Sequence, residues 1–180
     1  MTFLINIFLV FSIQVVDSVV LYRFRSATLS PFSDFTFKGL SYSANTEVIL
    51  TGSLIYWSFS ERRDLNLMKS YTAGLISSSI ITQSLKFVVG RTRPDGENSR
   101  TNSSFPSGHS AVAFYVAGYF SGIYPKYRIP LYTWACGVAL SRVYLKRHWP
   151  SDVIAGAIIG WGTAKFFYRH KDWFSKVSIF

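Results

Sequence analysis

The sequence contains a single cysteine, Cys136, which lies within an apolar run. One cysteine excludes an intramolecular disulfide, and no Cys/His spacing typical of zinc sites is present. Acidic residues are also scarce: nine Asp and Glu stand against 19 Lys and Arg, and they form no carboxylate cluster suited to Mg²⁺. The sequence therefore predicts a protein that uses no metal and no other cofactor.

Charge as a whole is low. Charged residues make up 16% of the chain, below the roughly 25% of soluble domains, while apolar residues make up 49% and the mean hydropathy is +0.21. The net charge is +10, yet the basic residues are spread between apolar runs and form no basic face or arm. This distribution favours anionic membrane lipids and phosphorylated substrates as partners over nucleic acid, and leaves the oligomeric state open.

Six apolar segments can be marked, at roughly 3–22, 45–60, 66–89, 108–123, 130–146 and 152–169. Several are shorter than the roughly 20 residues that span a bilayer, but aromatic residues near their ends extend the apolar belt. The segments predict an all-α fold, a polytopic membrane protein with a six-helix transmembrane bundle. Residues 1–180 form a single domain: N-terminal helices and an interfacial loop (1–65), a motif-bearing core (66–170) and a tail (171–180).

The N-terminal region leaves alternatives open. Segment 3–22 could be a signal peptide, but it lacks a basic start and contains Gln14 and Asp17, which favours a retained helix, spanning or interfacial. The following stretch, residues 26–45, mixes polar and aromatic residues and predicts an interfacial hairpin or a short amphipathic helix. Further on, Gly118/Gly122 and Gly156/Gly160 form two G-x-x-x-G patterns that would let helices approach closely.

If segments three to six alternate in direction, the loops at 90–107 and 147–151 share one face. The end of segment three, the start of four, the end of five and the start of six then meet there. Each of these four ends carries ionisable residues. In chain order they are Lys86, His109, the pair Arg142 and His148, and Asp152. The sequence therefore predicts one site built from four separate pieces of chain.

The residue types at this site suit phosphate chemistry. Lys86, Arg93 and Arg142 supply three positive charges, and guanidinium groups match phosphate oxygens. Ser107 and Gly108 open a helix, where free N–H groups and the helix dipole favour an anion.

Two histidines, His109 and His148, are the minimum for a two-step phosphoryl transfer in which one attacks phosphorus and the other protonates the leaving oxygen. Asp152 follows His148 by four residues, within expected reach of Nδ1–H, where it would leave Nε2 free to attack.

Three motifs, K-x6-R-P, P-S-G-H and S-R-x5-H-x3-D, occur in this order and resemble the signature of the type 2 phosphatidic acid phosphatase family, shared with vanadium haloperoxidases. Every fixed position is met, by Lys86, Arg93, Pro94, Pro106, Ser107, Gly108, His109, Ser141, Arg142, His148 and Asp152. The resemblance covers residues 66–170 and implies a six-helix membrane bundle with a pocket near one face.

The resemblance implies a role for each residue. His148 is the nucleophile that forms a phosphohistidine, Asp152 orients it, and His109 is the general acid and later the base for water. Lys86, Arg93, Arg142, Ser107 and Gly108 form the phosphate-binding set. A haloperoxidase and a non-enzymatic lipid-binding or lipid-moving protein are the alternatives. The first is disfavoured because those relatives are soluble and much larger, and the second because binding alone needs only the cations.

The short six-segment form resembles bacterial enzymes that act on lipid A 1-phosphate, undecaprenyl pyrophosphate, phosphatidylglycerol phosphate or phosphatidic acid. Four further basic residues flank the site, and they are either a solvated surface or part of the binding site for a strongly anionic headgroup: Arg91, Arg100, Lys146 and Arg147. The second interpretation favours lipid A or a pyrophosphate, and lipid A 1-phosphate is the preferred expectation. With the site cations set aside, seven basic residues flank the site face and nine, including Arg62 and Arg63, flank the opposite face. The positive-inside rule then places the site on the periplasmic, outer face of a bacterial inner membrane.

Overall fold

Seven α-helices and two short 3₁₀ helices make up the regular structure of the described residues. The computed structural model describes residues 2–60 and 64–176, with side chains for 12–60 and 64–173, and these ranges contain no strand. The α-helices are α1 Thr2–Thr28, α2 Pro31–Ser43, α3 Thr46–Phe59, α4 Leu65–Val89, α5 Gly108–Ile123, α6 Arg128–Tyr144 and α7 Pro150–Arg169. The 3₁₀ helices are Pro125–Tyr127 and Lys171–Lys176.

All six apolar segments are helical, so the all-α prediction is confirmed. The seventh helix, α2, covers the polar and aromatic stretch and settles its alternatives in favour of a short helix. Its start is capped by Ser30, whose hydroxyl accepts from the N–H of Ser33 at 3.1 Å, and Pro31 occupies the first turn. Arg62, Arg63 and the last four residues of the expected tail lie outside the described residues.

The closest helix pair is α5 and α7, and glycine makes that approach possible. A Cβ built on Gly160 would lie 2.0 Å from the Ala111 carbonyl oxygen, and one on Gly156 would lie 2.3 Å from the Ser107 carbonyl oxygen. On α5, Gly118 and Gly122 contact the far half of α7 in the same way. Both G-x-x-x-G patterns therefore lie at one helix–helix seam.

A tyrosine cluster joins α4, α5 and α7 away from the site. Tyr71, Tyr115 and Tyr119 are almost completely buried and pack against one another. The hydroxyls of Tyr115 and Tyr119 donate to the carbonyls of Tyr71 and Leu67 at 2.7 and 2.8 Å. In contrast, none of the residues of α3 is fully buried.

Polar side chains lie inside the bundle, and many apolar ones lie outside. Ser70, Ser78 and Ser110 are completely buried, whereas Leu54 and Ile158 are 69% and 65% exposed. Among the described helices, Leu65–Val89 alone is both long and apolar enough to cross a membrane, judged by length and composition.

Candidate active site

The ends of four helices meet at one end of the bundle, held by two chain reversals. Gly90 ends α4 with a φ of 59°, a left-handed conformation that favours glycine, and its N–H donates to the Lys86 carbonyl at 3.0 Å. After α6, the carbonyl of Arg142 accepts from the N–H groups of Arg147 and His148 at 3.0 and 3.2 Å. The two loops therefore fold over one face, as the sequence predicts.

Three buried cations line this site. Lys86, Arg93 and Arg142 are 7%, 5% and 8% exposed. The Nζ of Lys86 donates to the Ser103 carbonyl, and the Nε of Arg93 donates to the Asn102 carbonyl at 3.0 Å. Within the described part of the chain, Nη1 of Arg93 and Nε of Arg142 are buried and have no hydrogen-bond partner. Unpaired buried donors are costly, so these guanidinium groups offer donors that the oxygens of an anion would satisfy.

His148 is 2% exposed, and its Nδ1 lies 2.6 Å from the carbonyl oxygen of Ser104. A carbonyl oxygen only accepts, so Nδ1 carries the proton and Nε2 keeps its lone pair. Burial, together with the positive charges of Arg142, Lys86 and Arg93, holds the pKa of His148 well below its usual value of 6.5. The imidazole is therefore neutral at pH 7, which is the form a nucleophile needs.

Asp152 does not orient His148 in the way that the sequence predicts. Its Oδ2 lies 4.0 Å from Nδ1 of His148, which is too far for a hydrogen bond. Pro150 occupies the first position of α7 and Asp152 the third, so the carboxylate instead accepts from the N–H of Trp149 at 2.9 Å. The same oxygen accepts from the hydroxyl of Ser104 at 2.5 Å. The expected direct contact is thus wrong, and Asp152 reaches His148 through Ser104.

His109 is half-buried at the start of α5, and its Nε2 lies 2.9 Å from Oδ1 of Asn45, the residue that precedes α3. An amide oxygen only accepts, so Nε2–H donates and Nδ1 is left to exchange a proton with a ligand. The same three cations act electrostatically on His109 and on His148. The two histidines therefore lie within range of the same cluster of positive charge.

The start of α5 offers fewer free donors than expected. The N–H of Ser107 donates to the Asp152 carbonyl at 3.0 Å, and its hydroxyl accepts from the N–H of Ser110 at 3.4 Å. Helix geometry leaves the N–H groups of Gly108 and His109 without an intrahelical acceptor. Ser107 therefore shapes this helix start, while Gly108 and His109 supply its backbone donors.

A polar cavity opens beside these residues and continues into an apolar groove. The cavity has a volume of about 190 Å³, and Lys86, Gly108 and His109 line it. The groove, of about 640 Å³, lies between α3 and α4, and its walls include Ile49, Leu50, Leu75, Ile76 and Ile80. Cavity and groove share lining residues, among them Thr46 and Gln83. A polar head and an apolar tail of one molecule could therefore be bound together.

The sequence does not reveal the contributions of Ser104 and Asn45, and two of the basic residues that flank the site are held in ion pairs. Arg91, expected at the mouth of the site, pairs with Asp152 and with Asp17 of α1. Arg147 pairs with Asp95 and Glu97 at 2.9 and 3.1 Å. The position of Asp17 could have indicated its ion pair with Arg91, since a carboxylate within an apolar segment needs a cationic partner.

Comparison with known proteins gives consistent matches. The model of the PAP2 superfamily matches residues 68–176. A lipid A 1-phosphatase of Porphyromonas gingivalis is 43% identical over 79 residues, covering 42% of this chain and 17% of the relative. A lipid A 1-phosphatase of Rhizobium etli is 38% identical over 100 residues, covering 48% of this chain and 42% of the relative. The chain thus spans less than half the length of these curated relatives.

Two solved structures share the fold. Aquifex aeolicus LpxE superposes with a TM-score of 0.73 at 23% identity, covering 83% of this chain and 93% of that one. A transmembrane PAP2 type phosphatidylglycerolphosphate phosphatase from Bacillus subtilis gives a TM-score of 0.71 at 23% identity, covering 94% of this chain and 89% of that one.

Proposed function

This chain belongs to the PAP2 superfamily, and from that membership we propose that it is a phosphatase that hydrolyses a membrane lipid phosphomonoester or pyrophosphate. The observation that carries the proposal is the state of His148. It is buried, neutral and fixed through Nδ1. Nε2 is therefore available beside three cations, of which Arg93 and Arg142 have unpaired donors.

The proposed reaction has two steps. Nε2 of His148 attacks phosphorus and forms a P–N bond while the P–O bond to the lipid breaks. His109 enters this step in its doubly protonated form and gives its Nδ1 proton to the departing oxygen. Water then attacks phosphorus, His109 takes its proton, and the P–N bond breaks to release inorganic phosphate. Arg93, Arg142 and Lys86 stabilise the negative charge that develops on the phosphoryl oxygens in both steps.

No metal enters this proposal, because the cations occupy the place that a metal would take. Within the described ranges, no group of three or more His, Cys, Asp or Glu could hold a metal ion. We therefore expect turnover to survive EDTA. Vanadate should inhibit competitively, because its oxygens would meet the same unpaired guanidinium donors.

A lipid substrate is supported by the groove between α3 and α4, which continues the polar cavity with apolar walls. Among the lipids considered, lipid A 1-phosphate is the proposed substrate, since relatives named lipid A 1-phosphatase are 43% and 38% identical over the matched residues. Undecaprenyl pyrophosphate, phosphatidylglycerol phosphate and phosphatidic acid are the alternatives. The phosphatase names of the relatives also disfavour a haloperoxidase and a purely lipid-binding role.

We further propose that the bundle spans the bacterial inner membrane with its site on the outer face. A bundle with exposed apolar side chains and buried serines is suited to a lipid bilayer. The small excess of basic residues on the opposite face, nine against seven, supports this orientation.

The test is phosphate release by the purified, detergent-solubilised protein in the presence of EDTA. The panel contains lipid A, undecaprenyl pyrophosphate, phosphatidylglycerol phosphate, phosphatidic acid and a soluble aryl phosphate. His148→Ala should abolish release because the nucleophile is gone. His170→Ala is the matched control, since His170 is a half-buried histidine that ends α7 at the opposite end from Asp152. The same assay on right-side-out and inverted vesicles, with a substrate that cannot cross the bilayer, tests orientation.

Release that depends on His148 and not on His170, with lipid A turned over fastest, is the expected result. Another lipid turned over fastest would replace the proposed substrate and keep the mechanism. No release from any compound, or full activity in His148→Ala, would overturn the phosphohistidine proposal. Activity restricted to inverted vesicles would reverse the orientation.

A further inference from the structure

A second group of buried charges lies behind His148, where α1 meets the start of α7 and the loop after α4. Its centre is Arg91, whose Nη2 donates to Oδ2 of Asp17 and whose Nη1 donates to Oδ1 of Asp152, at 2.7 and 2.6 Å. Asp17 and Asp152 are 3% and 0% exposed. One guanidinium group therefore joins a carboxylate of the N-terminal helix to a carboxylate of the site.

Asp17 is held firmly from the other side as well. Its Oδ1 accepts from the N–H of Ser151 at 2.8 Å, and its Oδ2 accepts from the Ser151 hydroxyl at 2.5 Å. Gln14, one turn earlier on α1, accepts from Nη2 of Arg91 at 2.7 Å. The guanidinium fork of Arg91 is thus fixed by α1 on one side and by the first turn of α7 on the other.

The contacts continue to the nucleophile without a gap. Oδ2 of Asp152 accepts from the hydroxyl of Ser104, and the carbonyl of Ser104 accepts from Nδ1 of His148. Arg91 also holds Ser104 directly, because its backbone carbonyl accepts from the Ser104 N–H at 2.7 Å. Arg91 therefore fixes both groups that determine where the imidazole of His148 lies.

The charges of the group suit this task. Two buried carboxylates share one guanidinium group, which leaves one negative charge in excess behind His148. That excess opposes the positive charge that the imidazole gains when Nε2 bonds to phosphorus. Asp17 and Gln14 both accept from Nη2 of Arg91 and so keep its guanidinium group from turning towards the site.

We infer that Asp17 and Arg91 are positioning residues for His148, so that α1 is a working part of the active site. This inference rests on the proposed phosphatase function. Arg91 occupies a variable position of the K-x6-R-P motif, not a fixed one. Asp17 lies outside all three motifs and outside the residues matched by the family model. A displacement of about 1 Å at a reacting group can cost 10²-fold in rate.

The test compares Asp17→Asn with Arg25→Gln, two changes on the same helix. Arg25 also ties α1 to the bundle, by donating to the Tyr144 carbonyl, but it does not contact the Asp17–Arg91 pair. We expect Asp17→Asn to lower kcat about 10- to 100-fold with KM changed less than threefold, because Lys86, Arg93 and Arg142 are untouched. Arg25→Gln should keep kcat within about threefold of the wild type.

Two further variants separate positioning from folding. Arg91→Lys keeps the charge but loses the fork, so its kcat should lie between those of the wild type and Arg91→Gln. The losses from Asp17→Asn and Arg91→Gln should not multiply in the double variant, because both act through one contact. Single-turnover labelling should show slower phosphohistidine formation, and thermal unfolding should report whether each variant is folded.

Equal kcat in Asp17→Asn and Arg25→Gln would overturn the inference. A change in Asp17→Asn that affects only KM would also overturn it. So would an Arg91→Lys variant as inactive as Arg91→Gln, combined with kcat losses that multiply in the Asp17→Asn, Arg91→Gln double variant. If Asp17→Asn does not fold, the inference is tested by whether the kcat of Arg91→Lys lies between those of the wild type and Arg91→Gln. A wild-type protein that releases no phosphate would instead refute the proposed function, so the two failures are distinguishable.

Discussion

The glycine seam between α5 and α7 makes a sharp prediction for Gly160→Ala. The added Cβ would lie 2.0 Å from the Ala111 carbonyl oxygen and 2.9 Å from the Tyr115 nitrogen. Ordinary contact begins at 3.4 Å, so the approach is about 1.4 Å too close. Both neighbours are backbone atoms within α5, which cannot rotate aside as a side chain can. The two helices must therefore move apart.

The cost follows from this movement. Overpacking of a well-packed interface destabilises a protein by about 1–3 kcal/mol, occasionally by more. The same shift reaches the site, because the Ser107 N–H donates to the Asp152 carbonyl at 3.0 Å across the seam. A misplacement of about 1 Å can lower a rate about 10²-fold. We expect Gly160→Ala to lose both thermal stability and most of its kcat.

The assay is thermal unfolding in detergent together with phosphate release from the preferred lipid. Gly162→Ala is the matched control, since it lies on the same helix and a Cβ there has nothing within 4 Å. Because alanine favours a helix over glycine by about 1 kcal/mol, the control should be as stable as the wild type or slightly more so. Wild-type stability and kcat in Gly160→Ala would refute the close packing of α5 and α7.

Two other predictions concern the histidines. Burial and the nearby cations keep the pKa of His148 well below 6.5. The value of kcat/KM reports the free enzyme, so in a pH–rate profile it should fall only at a pH well below 6.5. A fall centred on pH 6.5 would contradict this cause. Asn45→Leu removes the acceptor for Nε2–H of His109 at similar side-chain size, so kcat should fall about tenfold with KM nearly unchanged; unchanged steady-state kinetics would rule out a role for Asn45.

The helices could be predicted from the sequence because their boundaries are marked locally. Apolar runs gave their extents, and Gly90 and Pro150 mark an end and a start. The motif residues that come together at the site were predictable for a similar reason, since each lies at a helix end. Alternation of the segments then places those ends on one face.

The contacts around the nucleophile were not predictable in the same way. Asp152 has the spacing of a direct partner for His148, but its position in the first turn of α7 directs the carboxylate to the Trp149 N–H. Ser104 is 44 residues away in the chain from its partner His148, and Asp17 is 134 residues away from its partner Ser151. Spacing within a motif contains no information about such pairs.

The lack of any fully buried residue in α3 bears on how selectively the two ends of a substrate are recognised. This helix contacts the core only through partly buried side chains such as Ile49 and Trp57, so the groove wall that it forms is less tightly packed than the rest of the bundle. The polar cavity that continues the groove is lined by Lys86, which is 7% exposed and donates to the Ser103 carbonyl, so that end is held more firmly. Under the proposed function we therefore expect discrimination among lipids to depend on the phosphate and its immediate surroundings, with acyl chains of different length and branching tolerated.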